Sequence, residues 1–210
     1  MDKFNKAHLD SDHFQLAPSL QELVAKALDL SSIDIHRALE VGCGQGLQLS
    51  SFEFFETLGI DRSQEAIKKA SQNFPQGSFK CLSSLSLNEL EGEFDLILDS
   101  HHIHYLSSKD DISHYLENVF QKLSVGGLFC MEAMVSHKKM LLENMEVTVL
   151  DFMEYERLFI NKGFRILYLM MPTGRKIIAD KKRKAALSSD PDVLLVIATK
   201  EDVANCIENN

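Results

Sequence analysis

The chain has 210 residues, 45% of them hydrophobic and 25% charged, a composition that suits one globular domain and excludes a disordered or collagenous protein. Its formal net charge of -9 disfavours nucleic acid and anionic membranes as partners, because like charges repel. The sequence contains no apolar run long enough to span a membrane and no basic, apolar leader over residues 1–12. These features predict a cytoplasmic protein without a membrane anchor.

Cysteine usage agrees with that prediction. Cys43, Cys81, Cys130 and Cys206 are far apart in the sequence. They show neither the paired spacing of a zinc site nor the density of a secreted disulfide scaffold. We therefore expect a reducing compartment and no bound metal.

Hydrophobic periodicity predicts a helix near the start of the chain, where Leu20, Leu23, Val24 and Ala27 recur at helical spacing after Pro18. From residue 34 onward, short apolar runs alternate with longer segments of helical spacing, which predicts an α/β fold with a parallel sheet. The predicted strands cover residues 38–41, 54–60, 78–81, 94–98, 128–134, 165–171 and 193–199. The predicted helices cover residues 46–51, 64–73, 86–90, 110–123 and 148–161.

One domain accounts for the whole pattern, with a helical cap over residues 1–33, a core over 34–200 and a tail over 201–210. Ser63 is expected to cap the helix that begins at residue 64, because its hydroxyl can accept a hydrogen bond from a backbone N–H of the first turn. Residues 135–147 are predicted to form a surface helix, with a lid as the alternative.

The strongest functional signal is the turn Gly42-Cys43-Gly44-Gln45-Gly46, which follows the apolar strand over 38–41. Glycine permits unusual backbone angles and lets a ligand approach the main chain closely. The helix that follows is expected to present unpaired N–H groups to a carboxylate or a phosphate. A tight turn without a ligand is the alternative interpretation of the glycines alone.

Asp61 strengthens the ligand interpretation, because it ends the apolar run Leu58-Gly59-Ile60 of the second strand. A carboxylate at this position can accept hydrogen bonds from both hydroxyls of a ribose. The glycine spacing is GxGxG, with Leu47 where dinucleotide-binding proteins have the third glycine of GxGxxG. This difference favours a cofactor without pyrophosphate, and a nicotinamide-dependent oxidoreductase remains the alternative.

The stretch from Glu40 to Gly46 and the acid Asp61 resemble the first two motifs of the class I, Rossmann-like S-adenosylmethionine-dependent methyltransferases. Residues 92–100 resemble the fourth strand of that family, and residues 123–129 resemble its turn into the fifth. The resemblance covers about residues 37–199. It implies a doubly wound, mostly parallel sheet of order 3-2-1-4-5-7-6, with strand 7 antiparallel and helices on both faces.

The resemblance also implies which residues border S-adenosylmethionine: the glycine turn with its supporting acid along the methionyl part, the acid of the second strand along the ribose, and the ends of the third and fourth strands nearby. The implied cofactor-binding residues are Glu40, Gly42, Cys43, Gly44, Gly46, Asp61, Arg62, Leu82, Ser83, Asp99, Ser100 and His101. After the third strand the chain lacks the Asp that many relatives place against the adenine, so Ser83 or the backbone must substitute.

The loop after the fourth strand is the predicted place of methyl transfer to an oxygen or nitrogen atom of a small-molecule acceptor. His101 is the candidate general base, because histidine titrates near neutral pH, and it is favoured over His102 and His104. The basic run over 181–184 is interpreted as part of a solvated hairpin rather than a site for an anionic acceptor or RNA. A non-catalytic, methyltransferase-like binding protein is the second alternative.

Overall fold

The computed structural model describes residues 16–136, 140–142, 145–176 and 190–201. This part of the chain contains nine strands, four α-helices and three 3-10 helices. The strands are β1 (Arg37–Val41), β2 (Glu56–Asp61), β3 (Ser78–Cys81), β4 (Phe94–Ser100), β5 (Leu123–Val135), β6 (Met140–Leu142), β7 (Met145–Val147), β8 (Phe164–Met170) and β9 (Asp192–Lys200). The α-helices are α1 (Pro18–Leu30), α2 (Gln64–Asn73), α3 (Lys109–Lys122) and α4 (Phe152–Asn161). The 3-10 helices are Gln48–Ser51, Ser84–Glu89 and Ile103–Tyr105.

Seven of the strands form one sheet in the order β3-β2-β1-β4-β5-β9-β8. The first five strands are parallel to their neighbours, whereas β9 runs antiparallel to both β5 and β8. When only the strands of this sheet are counted, the order is 3-2-1-4-5-7-6 with strand 7 antiparallel. The predicted fold class and strand order are therefore confirmed.

Helices pack on both faces of the sheet. On one face, Tyr115 and Val119 of α3 and Phe159 of α4 belong to the larger hydrophobic core. On the other face, Leu20 and Leu23 of α1 belong to a second core. The central strands are buried on both sides, which explains why they read as nearly continuous apolar runs in the sequence.

Side chains satisfy the backbone N–H groups at the first turns of three helices. Ser63 accepts a hydrogen bond from the Ala66 N–H of α2, as predicted, at 3.1 Å. Ser108 caps α3 in the same way. Asp151 and Glu154 form a reciprocal capping box at the start of α4, and for this reason the predicted helix over 148–161 begins at Phe152 instead.

Two predicted helices are single 3-10 segments. The helix predicted over 46–51 starts at Gln48, because Leu47 has the extended backbone angles φ -125° and ψ 116°. The helix predicted over 86–90 is the 3-10 helix Ser84–Glu89, which contains non-helical angles at Ser86. In addition, β2 begins two residues later than predicted, since Phe54 and Phe55 precede it.

The surface helix predicted over residues 135–147 is wrong. Where the structure describes this segment, β6 and β7 pair as an antiparallel two-stranded sheet. The β-branched residues Val147, Thr148 and Val149 lower helix propensity, and the Val147 and Val149 side chains are buried beside Met134. The Thr148 N–H donates to the His104 carbonyl, which ties the hairpin to the loop after β4.

Of the predicted cap over residues 1–33, the structure describes residues 16–33, which contain α1. Residues 1–15 lie outside the described residues. The basic run over 181–184 and nearly all of the predicted tail lie outside them as well. Within the described part, no helix combines the length and the apolar character that crossing a membrane requires.

Candidate functional site

The predicted site residues gather at the carboxyl ends of the parallel strands. β1 lies between β2 and β4 in the sheet, so the chain leaves β1 and β4 toward opposite sides. In open α/β sheets, ligands bind outside the carboxyl ends of the strands at this switch point. The glycine turn follows β1, Asp61 ends β2, and the segment from Asp99 to His102 closes β4.

The glycine turn lies open at alternate residues. Gly42 and Gly44 have φ angles of 69° and 57° and are half-buried, whereas Cys43 and Gly46 are buried. The Cys43 N–H donates to the Ile60 carbonyl at 2.9 Å, which fixes the turn to β2. A Cβ atom on Gly42 would lie 2.7 Å from Cβ of His102, so only glycine fits there.

Glu40 supports the turn from inside the protein. Its carboxyl group accepts hydrogen bonds from the backbone N–H groups of Leu49, at 3.1 Å, and Gln48. Burial raises the pKa of Glu40 to about 8, although these two hydrogen bonds act in the opposite direction. The sequence predicts that the helix after the turn offers unpaired N–H groups. That prediction is wrong for Gln48 and Leu49, because the Glu40 carboxyl group accepts both of their N–H groups.

Asp61 faces the glycine turn rather than bulk solvent. Its Oδ2 accepts a hydrogen bond from the Gly44 N–H at 3.1 Å, and its Oδ1 accepts one from the Ser63 N–H at 2.7 Å. Each carboxylate oxygen has a second lone pair, so both can still accept a further hydrogen bond. The neighbouring Arg62 side chain is exposed.

The chain after β3 joins the site through Leu82 and two serines. The Leu82 N–H donates to the Asp61 carbonyl at 3.0 Å, and the Leu82 side chain is buried. Ser83 Oγ accepts from the Leu85 N–H at the start of a 3-10 helix. Ser84 Oγ lies 2.7 Å from Nε2 of His102, whose ring packs against Gly42.

Asp99 organises the loop after β4. It is fully buried, and its Oδ1 accepts hydrogen bonds from the His102 N–H at 2.7 Å and the Ile103 N–H at 3.3 Å. Its Oδ2 accepts from the Tyr115 hydroxyl at 2.8 Å. Burial raises the pKa of Asp99 despite these hydrogen bonds and the nearby His102. This geometry makes Asp99 a support of the loop, and Ser100 and His101 are the half-buried residues next to it.

His101 adopts a left-handed backbone conformation with φ 62°, and no other non-glycine residue in the described ranges has a positive φ. Such a conformation costs on the order of 1–3 kcal/mol and is most common at functional sites. Two contacts to Glu132 of β5 hold it: the His101 N–H donates to the Glu132 carbonyl at 3.0 Å, and His101 Nε2 lies 2.8 Å from Glu132 Oε1.

Glu132 is the site residue that the sequence analysis missed. Its side chain is buried, and Nη2 of Arg175 lies 2.9 Å from both of its carboxylate oxygens. Burial opposes ionisation of Glu132, but the hydrogen bond from His101 and its charge outweigh burial, with help from a hydrogen bond from Ser19 and the charge of Arg175, and lower the pKa of Glu132. The sequence signal that could have identified Glu132 is that it is the charged residue in the otherwise apolar predicted strand over 128–134.

Two other polar groups near the site stay neutral. His104 is fully buried, and burial together with His101 and His102 lowers its pKa well below the ordinary value. Burial and the nearby Glu40 and Asp61 raise the pKa of the Cys43 thiol well above its ordinary value. Among the residues that the structure describes, no three His, Cys, Asp or Glu side chains form a group that could hold a metal ion.

Residues 39–129 match a family model described as a methyltransferase domain. This segment runs from the middle of β1 into β5, so it contains the glycine turn, Asp61 and the loop after β4. A search among curated proteins found no match.

Solved structures with the same fold cover most of the chain. An S-adenosylmethionine-dependent methyltransferase from Clostridium acetobutylicum has a TM-score of 0.70 and 14% identity, with 90% of this chain and 93% of that chain covered. CalS10, an amino pentose methyltransferase from Micromonospora echinaspora with bound cofactor, has a TM-score of 0.69 and 13% identity, with 95% and 98% covered. The N-methyltransferase NodS from Bradyrhizobium japonicum has a TM-score of 0.62 and 19% identity, with 88% and 98% covered.

Substituting Gly42→Ala is expected to lower the free energy of unfolding by about 2–4 kcal/mol, because the new Cβ both strains the backbone and collides with the His102 ring. Gly174→Ala is the matched control, since Gly174 has φ 73° but no atom of the described residues lies within 4 Å of the added Cβ. That control should lose only about 1 kcal/mol. Urea unfolding of the three proteins measures the difference, and equal losses would contradict the described contact with His102.

Stability should fall as the pH rises because of Glu40. Its pKa is raised from the ordinary 4.5 to about 8, so the folded chain binds more protons at this site than the unfolded chain within that window. The contribution of Glu40 to the free energy of unfolding is therefore fully present below pH 4.5 and decreases by up to about 1.4 kcal/mol per pH unit toward pH 8.

Glu40→Gln keeps an oxygen that can accept the two N–H groups but removes the titration. Denaturant unfolding of both proteins at several pH values gives the difference between them, in which other titrating groups cancel. We expect the wild-type chain to lose stability relative to Glu40→Gln between pH 5 and pH 8. A constant difference over this range would show that Glu40 does not titrate there.

Proposed function

We propose that this chain, which carries a methyltransferase domain in the class I fold, binds S-adenosylmethionine at the carboxyl ends of β1, β2 and β4 and methylates an oxygen or nitrogen atom of a small molecule. The observation that supports this cofactor most directly is the position of Glu40. Its carboxyl group accepts the N–H groups of Gln48 and Leu49, at the start of the helix that follows the glycine turn.

The same contact argues against a nicotinamide dinucleotide. Dinucleotide-binding domains place the pyrophosphate at the N-terminus of the helix after the glycine turn, where unpaired N–H groups attract the anion. Here two of those groups are already bonded to an acidic side chain. Leu47 is also buried. A Cβ atom added to Gly59 would lie only 2.8 Å from Cδ2 of Leu47, so side chains fill the space below the turn.

The residues present fit S-adenosylmethionine. The oxygens of Asp61 can each accept one more hydrogen bond, which suits the two ribose hydroxyls. Gly42 and Gly44 would border the methionyl part, because their missing side chains leave the backbone accessible. Arg62, Leu82 and Ser83 would border the adenine, where this chain has a serine instead of an acid. We further propose that α1 and the sheet act together as one domain.

The cofactor supplies a methyl group that is bonded to a positively charged sulfur. This sulfur is already a good leaving group. The protein then chiefly has to align the acceptor and exclude water. Asp99 serves this purpose by holding the loop after β4 through the backbone of His102 and Ile103. Ser100 and His101, which belong to that loop, would lie beside the acceptor. No residue in this arrangement requires a metal ion.

A small-molecule acceptor is supported by two observations. The net charge of -9 disfavours a polyanionic acceptor such as RNA. Two proteins of similar fold are described as an amino pentose methyltransferase and an N-methyltransferase. Because identities of 13% and 19% establish only a common fold, the acceptor class is our proposal for this chain.

Calorimetry should show binding of both S-adenosylmethionine and S-adenosylhomocysteine to the full chain. Asp61→Ala is expected to raise the dissociation constant of S-adenosylhomocysteine about 10- to 100-fold, because two hydrogen bonds to the ribose are lost. Asp110→Ala is the matched control, since Asp110 is an exposed carboxylate at the start of α3. Equal affinities for the two variants would refute the role of Asp61, and selective NAD binding would favour an oxidoreductase.

Transfer itself is tested with S-adenosylmethionine that carries a radiolabelled methyl group. The acceptor panel should contain phenols, catechols, carboxylic acids, primary amines and amino sugars, with transfer RNA as a polyanionic control. We expect label to enter at least one small molecule and not the RNA. Binding of S-adenosylhomocysteine without any transfer would instead indicate a non-catalytic binding protein.

A further inference from the structure

His101 and Glu132 form a hydrogen-bonded pair next to the proposed site of methyl transfer. Ser100 and Glu132 lie opposite each other where β4 and β5 pair, and His101 follows directly on β4. The contact from His101 Nε2 to Glu132 Oε1 is 2.8 Å. About a third of the His101 side chain is exposed, whereas Glu132 is buried, so the imidazole lies between the carboxylate and the surface.

The Glu132 carboxylate is held in place from the other side. Arg175 donates to both oxygens at 2.9 Å, and a hydrogen bond to Ser19 of α1 is also present. Together with the hydrogen bond from His101, these contacts lower the pKa of Glu132 and keep it ionised, and an ionised carboxylate can only accept hydrogen bonds. The proton in the contact with His101 must therefore belong to Nε2.

A neutral imidazole with its proton on Nε2 has a free lone pair on Nδ1. Nδ1 of His101 is buried and has no hydrogen-bond partner among the residues that the structure describes. A buried acceptor without a donor is unfavourable, so a ligand that brings an O–H or N–H group to this atom is stabilised there.

We propose that Glu132 and Arg175 are positioning residues that fix His101 as its Nε2–H tautomer, so that Nδ1 removes the proton of the acceptor during methyl transfer. This inference rests on the proposed function and adds the base, the atom and the two residues that orient it. It narrows the acceptor to a molecule whose attacked oxygen or nitrogen carries a proton.

The proton balance is simple. The O–H or N–H bond of the acceptor breaks, its proton moves to Nδ1, and its electron pair stays on the acceptor atom to form the new bond to the methyl carbon. The sulfur of the donor retains the electrons of the bond that breaks. Glu132 stabilises the resulting imidazolium, which returns its proton to water.

Other polar residues near the loop are less suited to this role. His102 Nε2 is engaged with Ser84, and its ring lies under Gly42. His104 is fully buried, with its ring 5.9 Å from that of His101. Asp99 is buried and bonded to Tyr115 and to two backbone N–H groups. Of the three histidines, only His101 has a ring nitrogen in contact with a carboxylate among the described residues.

The tautomer can be observed directly, without an acceptor. Full-length protein labelled with 15N-histidine and saturated with S-adenosylhomocysteine is studied by long-range 1H–15N NMR at pH 8, which distinguishes a protonated from an unprotonated ring nitrogen. His101→Asn identifies the His101 signals, because asparagine tolerates a positive φ. We expect Nε2 protonated and Nδ1 unprotonated in the wild-type chain. A proton on Nδ1 would overturn the proposal.

Glu132→Gln/Arg175→Met tests the positioning role, because it removes both charges and leaves no unpaired guanidinium. We expect a mixture of His101 tautomers, an unchanged affinity for S-adenosylhomocysteine, and a kcat for any acceptor found in the screen that falls about 100-fold or more. An unchanged tautomer would contradict the inference. If S-adenosylhomocysteine fails to bind the wild-type chain, the proposed function itself is wrong, whereas binding with the other tautomer refutes only the present inference.

Discussion

The structure of the site depends on one buried contact, in which the Glu40 carboxyl group accepts the N–H groups of Gln48 and Leu49. This contact ties the end of β1 to the short helix beyond the glycine turn and so determines the shape of the turn between them. Because the turn is fixed, Gly44 can donate to Asp61, and Gly42 can lie against His102. The same contact occupies donors that a pyrophosphate would need.

Two hydrogen-bond networks extend from β4 in different directions. Asp99 connects the loop to α3 through Tyr115, and His102 extends this network to Ser84 after β3. On the other side, His101 is connected through Glu132 to Arg175, which precedes β9. In our proposal, the first network would border the cofactor and the second would border the acceptor. The two flanks of this short loop are held by separate sets of contacts.

The fold alone does not assign the reaction, since related sheets serve many chemistries. What distinguishes this chain is the combination of a glycine turn, a strand-end acid that faces it, and an internal carboxyl group under the following helix. Residues 39–129, which match the family model described as a methyltransferase domain, contain all three. Glu132 and Arg175 lie outside that segment, although both are connected to His101 within it.

The sequence alone determined the α/β class, the seven strands of the main sheet, the glycine turn and the position of Asp61 at the end of β2, and the resemblance supplied the strand order. These features depend on local periodicity and on turn chemistry, which neighbouring residues express directly. Only the tertiary structure showed the pairing of Glu132 with Arg175, which lie 43 residues apart, and the use of Glu40 as an internal cap. It also replaced the helix predicted over 135–147 with paired strands, because Val147 and Val149 pack with Tyr105, which lies much earlier in the chain. Such contacts leave no periodic signal in a single sequence, since they depend on how the strands and loops meet in three dimensions.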